Sequence, residues 1–455
     1  MHTRETILRQ LTDSPHHRVR YAVADIDGVL RGKVVHRDKL LKTLDTGLGF
    51  CDVIFGWDSS DACYAQGQDP AALTGWHTGY PDALARVDLS TLRTVPWEDG
   101  LPFLLADFEA APTAHAQVCP RSLLKRVVRQ AAALGYVPQL AQEFEWVHFA
   151  ETPSGLVARG HRDPVPLSPG MFGYSVLRLS QHSAYFDSLF DQLAAFGVPL
   201  EGMHTETGDG VFEAALQYAP ALEAADRAVL FKTAVKELAY RHGIMASFMA
   251  KWNSRLPGCG GHIHQSLWDP GMSVNLFYDA ADPQRMSGLM RSYLAGQLHC
   301  LPYLIPLYAP TINSYKRLLG GDWAPASQSW GVENRTTALR IVNTYETGTR
   351  IELRIPGADV NPYLAMAASL ASGLYGIREG LELRVPETRG NGYLDPGALP
   401  ATLHEALTQM LASPLPGQLL GQDFVAHFAR SRQWEWQQYC RQVSDWELKR
   451  YFEVI

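Results

Sequence analysis

The chain has 455 residues, 46% of them hydrophobic and 19% charged, and a formal net charge of −7. That balance belongs to a globular protein in water. It is too long for one core, so two or three domains are expected, and too acidic for duplex nucleic acid to be a main partner. No run of about 18 uncharged apolar residues offers a membrane span. The first twenty residues read as an amphipathic helix, not a signal peptide. Six scattered cysteines without a CxxC pair read as reduced thiols of a cytoplasmic protein.

After that first helix, RYAVADIDGVLRGKVV (20–35) alternates apolar and polar residues about Asp27-Gly28, a hairpin turn signal. Short strands punctuated by Pro, Gly and Asp follow through GFCDVIFGWDSSDACY and ARVDLSTLRTVPWEDGLPFLLADF. A strand-rich domain over 1–107 is therefore expected, then AAPTAHAQVCPR with linker composition, then a larger domain over 108–455. In the latter, 122–135 has helical spacing and a Gly stop, and YVPQLAQEFEWVHF reads as a strand. Helices are predicted over 182–197, over 220–243 with Pro220 in the first turn, and from Asn361 as N-cap, with Pro362 at N1, to 380. Roughly the last 55 residues read as all-helical.

Four stretches place chemistry at strand spacing, where residues two apart share a face. PGCGGHIHQSLWD carries His262 and His264, QEFEW carries Glu143 and Glu145, and TRIELRI carries Arg350, Glu352 and Arg354. In HTETGDGVFEAAL, Gly208 and Gly210 permit a turn that brings Glu206 and Glu213 together. Each has a plainer reading: a polar contact, a solvated carboxylate pair, an acidic loop, an ion-pair ladder. Together, five carboxylates and His262 favour Mg²⁺ or Mn²⁺ over zinc, two of which can clamp a nucleotide's phosphates. Arg317, Arg335, Arg340, Arg350 and Arg354 supply the forked donors that phosphate and carboxylate need.

Set in order, DGVLRGKVV, QEFEW, HTETGDGVFE, MAKWNSRLPGCGGHIHQSL, NSYKRL, WGVENRTTALRI and RIELRIPGADVNPYLA resemble the signature blocks of the glutamine synthetase superfamily. The resemblance runs along nearly the whole chain, with a pattern nearest the γ-glutamylpolyamine and other γ-glutamylamide synthetases. It implies an α+β fold: a small β-grasp-like N-terminal domain, then a catalytic α/β domain with a curved antiparallel sheet. Carried over, it implies two or three Mg²⁺ or Mn²⁺, one held by Glu145, Glu206 and Glu213 and a second by Glu143, His262 and Glu352. It puts His264, Arg340 and Arg350 beside ATP. Arg317 would take the α-carboxylate of glutamate with the Gly258 loop nearby, and Arg335 and Arg354 would stabilise the transferring phosphoryl group. The implied assembly is a homo-oligomer of stacked rings, decamer or dodecamer, with active sites shared between subunits. Asp58 and Ser59 of GWDSSD would then stand on the amine side of a neighbour's site, or be turn residues.

The departures bear on the substrate. Trp323 stands where ammonia-using members carry the flap glutamate that deprotonates ammonium, and an indole accepts no proton. Asp322 is one residue away from that place. Val211 and Pro257 replace a Gln and an Asn near the amino-acid pocket, and Tyr393 lacks the surroundings of an adenylylation loop. The resulting expectation is an ATP-dependent ligase making a γ-glutamyl amide from glutamate, or a close analogue, and an amine. Glutamine synthesis from ammonium and a catalytically silent relative are the alternatives.

Overall fold

A computed structural model describes residues 3–64, 72–109, 113–319, 323–395 and 397–455. The first sheet comprises β1 (Arg18–Ala24), β2 (Leu30–His36), β3 (Leu48–Cys51), β4 (Asp82–Val87), β5 (Arg93–Val95) and β6 (Leu101–Asp107). Their order is β2-β1-β6-β4-β3, with β5 alongside β6 and β1 parallel to β6. The β1–β2 hairpin turns at Asp27-Gly28 as predicted, and Gly28 has φ 77°. A Cβ there would lie 3.0 Å from the Cα of Asn361. The turn is pressed against the start of helix Pro362–Arg378, and the Asn361 amide donates to Asp25 O and Ile26 O.

The second sheet comprises β7 (Val137–Phe149), β8 (Leu200–Thr205), β9 (Val211–Leu216), β10 (Ala219–Pro220), β11 (Met245–Ser247), β12 (Gly261–Trp268), β13 (Trp330–Val332), β14 (Leu339–Val342) and β15 (Arg350–Leu353). Its order is β13-β14-β15-β12-β7-β9-β8, with β10 and β11 added on β7, and every pairing is antiparallel but β13–β14. The fold is α+β, as the resemblance implied: a strand-rich N-terminal region ahead of a curled sheet backed by helices.

One face of β7 makes core: Phe144 and Trp146 are fully buried against Phe231 of helix Ala221–Arg241 and against Phe248. Helices Gly288–Tyr308 and Pro362–Arg378 cross where Gly296 meets Gly376. A Cβ on Gly376 would lie 2.1 Å from Ser292 O, which explains the small-residue composition of the second helix. The expected helices form at 120–133, 183–195, 221–241 and 362–378, and four more occupy 403–451. Pro220 is a correction: it ends β10 and serves as the N-cap residue, not the first helical turn. Helix Gly288–Tyr308 is not among the expected elements, and its Pro302 and Pro306 are residues that in sequence argue for a break. No helix among the described residues is long and apolar enough to cross a membrane.

Candidate active site

Strand register assembles the site. Opposite Glu143 on β7 stands His262 on β12, and opposite Glu145 stands Glu213 on β9. Glu352 on β15 stands opposite both His264 on β12 and Arg340 on β14. Because side chains alternate along a strand, these residues share the face opposite Phe144 and Trp146. Gly208 and Gly210, at φ 131° and 69°, turn β8 into β9 so that the N–H of Glu206 donates to Val211 O, and its carboxylate feels the charge of Glu145. All six expected metal ligands thus lie in one continuous patch.

The patch has two electrostatic halves. In the first, burial, with Glu143 and Glu145 nearby, pushes the Glu213 carboxyl up to about 8, although His204 opposes this. Burial and Glu145 raise Glu206 as well, and its Oε2 is buried without a hydrogen-bond partner. Glu145 accepts from the N–H of Gly260 at 2.8 Å. Clustered carboxylates that cannot all ionise are what a divalent cation relieves, so this donor set fits a hard metal ion.

In the second half the carboxylates are already countered. Burial would raise Glu352, yet Arg354, His264 and His262 hold it down at about 2. It accepts from Arg354 and, at 2.9 Å, from Arg340, whose guanidinium also grips Glu333. His262 Nδ1 lies 3.3 Å from Glu143 and 3.4 Å from Glu352. Burial, then Arg354, lowers its pKa, and its Nε2 is buried without a partner. A neutral imidazole with one nitrogen on carboxylates and the other free is the usual state of a metal-ligating histidine. Among the described residues, Glu143, His264 and Glu352 offer ligand atoms within 4.8 Å of one another. That set brings in His264, which the resemblance assigns to the nucleotide.

His264 also lines a cavity of about 260 Å³ with Gln139, Glu143, Tyr218, Tyr345 and Arg350. Arg350 Nε donates to His264 Nδ1 at 3.1 Å, joining the cavity to the acidic face. On the other side, buried Arg317 donates to Ile355 O and Arg354 O. A Cβ on Gly258 would come 2.7 Å from Arg317 Cγ. One on Gly260 would meet His262 Nε2 at 2.5 Å and both Glu145 Oε1 and Arg317 Nη2 at 3.1 Å, so only glycine leaves that convergence open. Arg335 is exposed, and its carbonyl accepts from Arg354 Nε. Trp323 is 53% exposed at φ 63°, and Asp322 lies outside the described residues. The hydrogen bonds of Asp58 stay within its loop and reach Trp434, and Ser59 is exposed.

Two residues at this face escape the sequence reading. His204 Nε2 lies 3.1 Å from Glu213, whose hydrogen bond lifts the imidazole pKa to about 9. Its ring faces Tyr174 at 4.5 Å; Tyr174 is at φ 56° and its N–H donates to Thr205 O. His204 stands two residues before Glu206, the strand spacing that singles out the other stretches. Tyr174, in a Pro- and Gly-rich segment thirty residues upstream, carries no periodic signal.

Buried acid pairs, forked arginines and a cavity meet at one sheet face, and the chain belongs to the glutamine synthetase family, whose members are ATP-dependent carbon–nitrogen ligases: the model of that family's catalytic domain matches residues 117–451. Among similar proteins, type-1 glutamine synthetase 2 of Dictyostelium discoideum is 48% identical, covering 100% of this chain and 87% of that protein. Glutamate–isopropylamine ligase of a Pseudomonas species is 36% identical over 96% of this chain and 95% of its own length. The γ-glutamylethanolamide synthetase GlnA4 of Streptomyces coelicolor is also 36% identical, over 95% and 92%. The solved structure of GmaS in complex with ADP superposes with a TM-score of 0.83 at 27% identity, covering 98% of this chain and 99% of that one.

Proposed function

We propose that the chain joins the γ-carboxylate of glutamate, or of a close analogue, to an alkyl amine through a γ-glutamyl phosphate. The observation that carries this reading is Trp323, an exposed indole where ammonia-using relatives place a proton-accepting glutamate. An indole offers an alkyl chain an apolar or cation–π wall and accepts no proton. The relatives named for an isopropylamine substrate and a γ-glutamylethanolamide product support it.

In the first step a γ-carboxylate oxygen attacks the terminal phosphorus of ATP and ADP leaves. In the second the amine nitrogen attacks the carbonyl carbon, phosphate leaves and the nitrogen loses a proton. Arg317 and the Gly258 loop hold the α-carboxylate; His264, Arg340 and Arg350 orient the nucleotide; Arg335 and Arg354 face the moving phosphoryl group. Two or three Mg²⁺ or Mn²⁺ ions, on Glu145, Glu206 and Glu213 and on Glu143, His262 and Glu352, would neutralise charge on the phosphoryl oxygens. The working form in this reading is a ring of subunits with the Asp58–Ser59 loop of one facing the site of the next, and the chain divides into regions 1–107 and 108–455.

A second reading, glutamine synthesis from ammonium, is favoured by the 48% identical relative named as a glutamine synthetase. ADP release measured with ammonium, isopropylamine, ethylamine, ethanolamine, putrescine and spermidine separates the two. An alkyl amine is expected to give the highest kcat/KM; turnover with ammonium alone overturns the proposal. No turnover with any amine, together with no Mg–ATP binding by calorimetry, returns the silent relative.

A further inference from the structure

We propose that Glu333 is a positioning residue for the nucleotide: it holds the Arg340 guanidinium between itself and Glu352, so that the N–H groups left over are kept for the phosphates. The proposal rests on the reading that Arg340 orients the nucleotide and adds a residue which that reading leaves out.

Arg340 stands between two acids of unlike depth. Its Nη1 donates to Glu352 Oε2 at 2.9 Å, while Nε, at 3.1 Å, and Nη2 both donate to Glu333 Oε2. A guanidinium carries five N–H groups. These bonds engage three, and among the described residues no further acceptor takes the other two. Glu352 is 1% exposed and already accepts from Arg354, whereas the Glu333 side chain is 43% exposed. Without Glu333, the one carboxylate left to Arg340 is Glu352, a proposed metal ligand. The guanidinium is then free to turn its fork onto that buried acid and withdraw it from the phosphates.

The backbone is bent to put Glu333 there. Strand β13 ends at Val332, and Glu333 takes φ 49°, a left-handed conformation that a side chain with a Cβ disfavours. Its N–H still donates to Ile341 O at 3.0 Å, so the bend stays tied to β14. The next residue fixes the turn: the Asn334 amide donates to Thr388 O at 3.1 Å and Gly390 O at 2.8 Å, and its oxygen accepts from the N–H of Thr336 at 3.0 Å. On β13, Gly331 pairs with Arg340, and a Cβ there would lie 2.7 Å from Thr388 O. A half-exposed ion pair alone stabilises little, so a bend held this firmly is better explained by what it does to Arg340.

The test is a double-mutant cycle on the assembled enzyme, read by calorimetric binding of Mg²⁺ with the non-hydrolysable ATP analogue AMPPNP and by steady-state ADP release. Glu333→Gln removes the charge and keeps the side-chain length, Arg340→Ala removes the guanidinium, and the third variant carries both. Glu333→Gln is expected to weaken AMPPNP about five- to tenfold and to raise the ATP KM by the same factor, with kcat at saturating ATP and the amine KM within about twofold of wild type. Arg340→Ala weakens binding at least as much, and Glu333→Gln adds nothing in that background. The proposal is overturned if Glu333→Gln leaves nucleotide affinity unchanged, if it tightens binding as loss of a repelling carboxylate would, or if its effect multiplies with that of Arg340→Ala. Should Glu333→Gln fail to assemble, Glu333→Gly, which suits the left-handed backbone, decides by the same criteria. If Arg340→Ala leaves the affinity unchanged, or the wild type does not bind AMPPNP, the nucleotide reading of Arg340 fails and the proposal with it. If AMPPNP binds but no amine is turned over, the proposed function fails separately and the calorimetric cycle still decides the role of Glu333.

Discussion

At Gly260, His262 Nε2, Glu145 Oε1 and Arg317 Nη2 all come within 3.1 Å of where a side chain would begin. The residues proposed to hold the metal and the acid therefore meet across a single backbone atom. His262→Ala is expected to abolish metal-dependent turnover, while His264→Ala raises the ATP KM about tenfold and leaves turnover at saturating ATP. Steady-state kinetics with separate titrations of Mg²⁺ and ATP distinguish the two, and equal losses in both titrations would contradict the division. The shared face of these strand-borne candidates was legible in the sequence because a period of two puts Glu143 with Glu145 and His262 with His264 on one side. It could not say that Glu352 would be gripped by Arg340 and Arg354 while burial raises Glu213 despite the His204 imidazole beside it. Those states depend on which strands become neighbours, and the pairings β12–β15 and β7–β9 join residues far apart in the chain.

The elements behind this face were legible where local signals agree. Asn361 caps its helix and Pro362 begins it, and Gly28 takes the left-handed turn its hairpin needs. The reading failed where tertiary packing overrode a local rule: helix Gly288–Tyr308 continues through two prolines, and Pro220 caps a helix from outside it. The crossing of helices Gly288–Tyr308 and Pro362–Arg378 predicts intolerance at one point. Gly376→Ala would force a methyl within 2.1 Å of Ser292 O and 2.6 Å of Gly296. Overpacking of that kind costs about 1–3 kcal/mol and is expected to lower the Tm, whereas Gly380→Ala, past the helix end with nothing near its Cβ, carries only the cost of its φ of 59°. Helix Ala221–Arg241 carries a pH effect of its own. Burial, with Lys236 beside it, pulls the Lys232 ammonium down to about 7. An unfolded lysine titrates near 10.4, so between these values the unfolded chain binds the extra proton and stability rises with pH. Lys232→Met should therefore raise the Tm most at pH 6, with the gain fading towards pH 10; a gain independent of pH would show that the ammonium is not desolvated.

For the whole molecule, the question is what completes the site. Beside Tyr174, the side chains of Met171, Phe172, Val176 and Leu177 are all exposed, at the edge of the acidic face where the Tyr174 ring lies tilted against His204. A contiguous apolar run of this kind on a monomer marks a surface that something covers. The C-terminal segment adds Trp446, Tyr451, Phe452, Val454 and Ile455, also exposed. Inside the subunit the two sheets are already locked together. Buried Arg121 donates to Asp107 at the end of β6, to Asp88, and to Asp226 of helix Ala221–Arg241. The N-terminal region is therefore fixed against its own catalytic region and is not free to fold over its own site. In the proposed ring the Asp58 loop can only serve the next subunit. Turnover per chain should then be a property of the assembly: on dilution through its dissociation, followed by mass photometry, specific activity is expected to fall in proportion to the ring fraction and to return on reconcentration. Full activity in a dilute monomer would mean that each chain completes its own site, and the exposed apolar run would need another occupant.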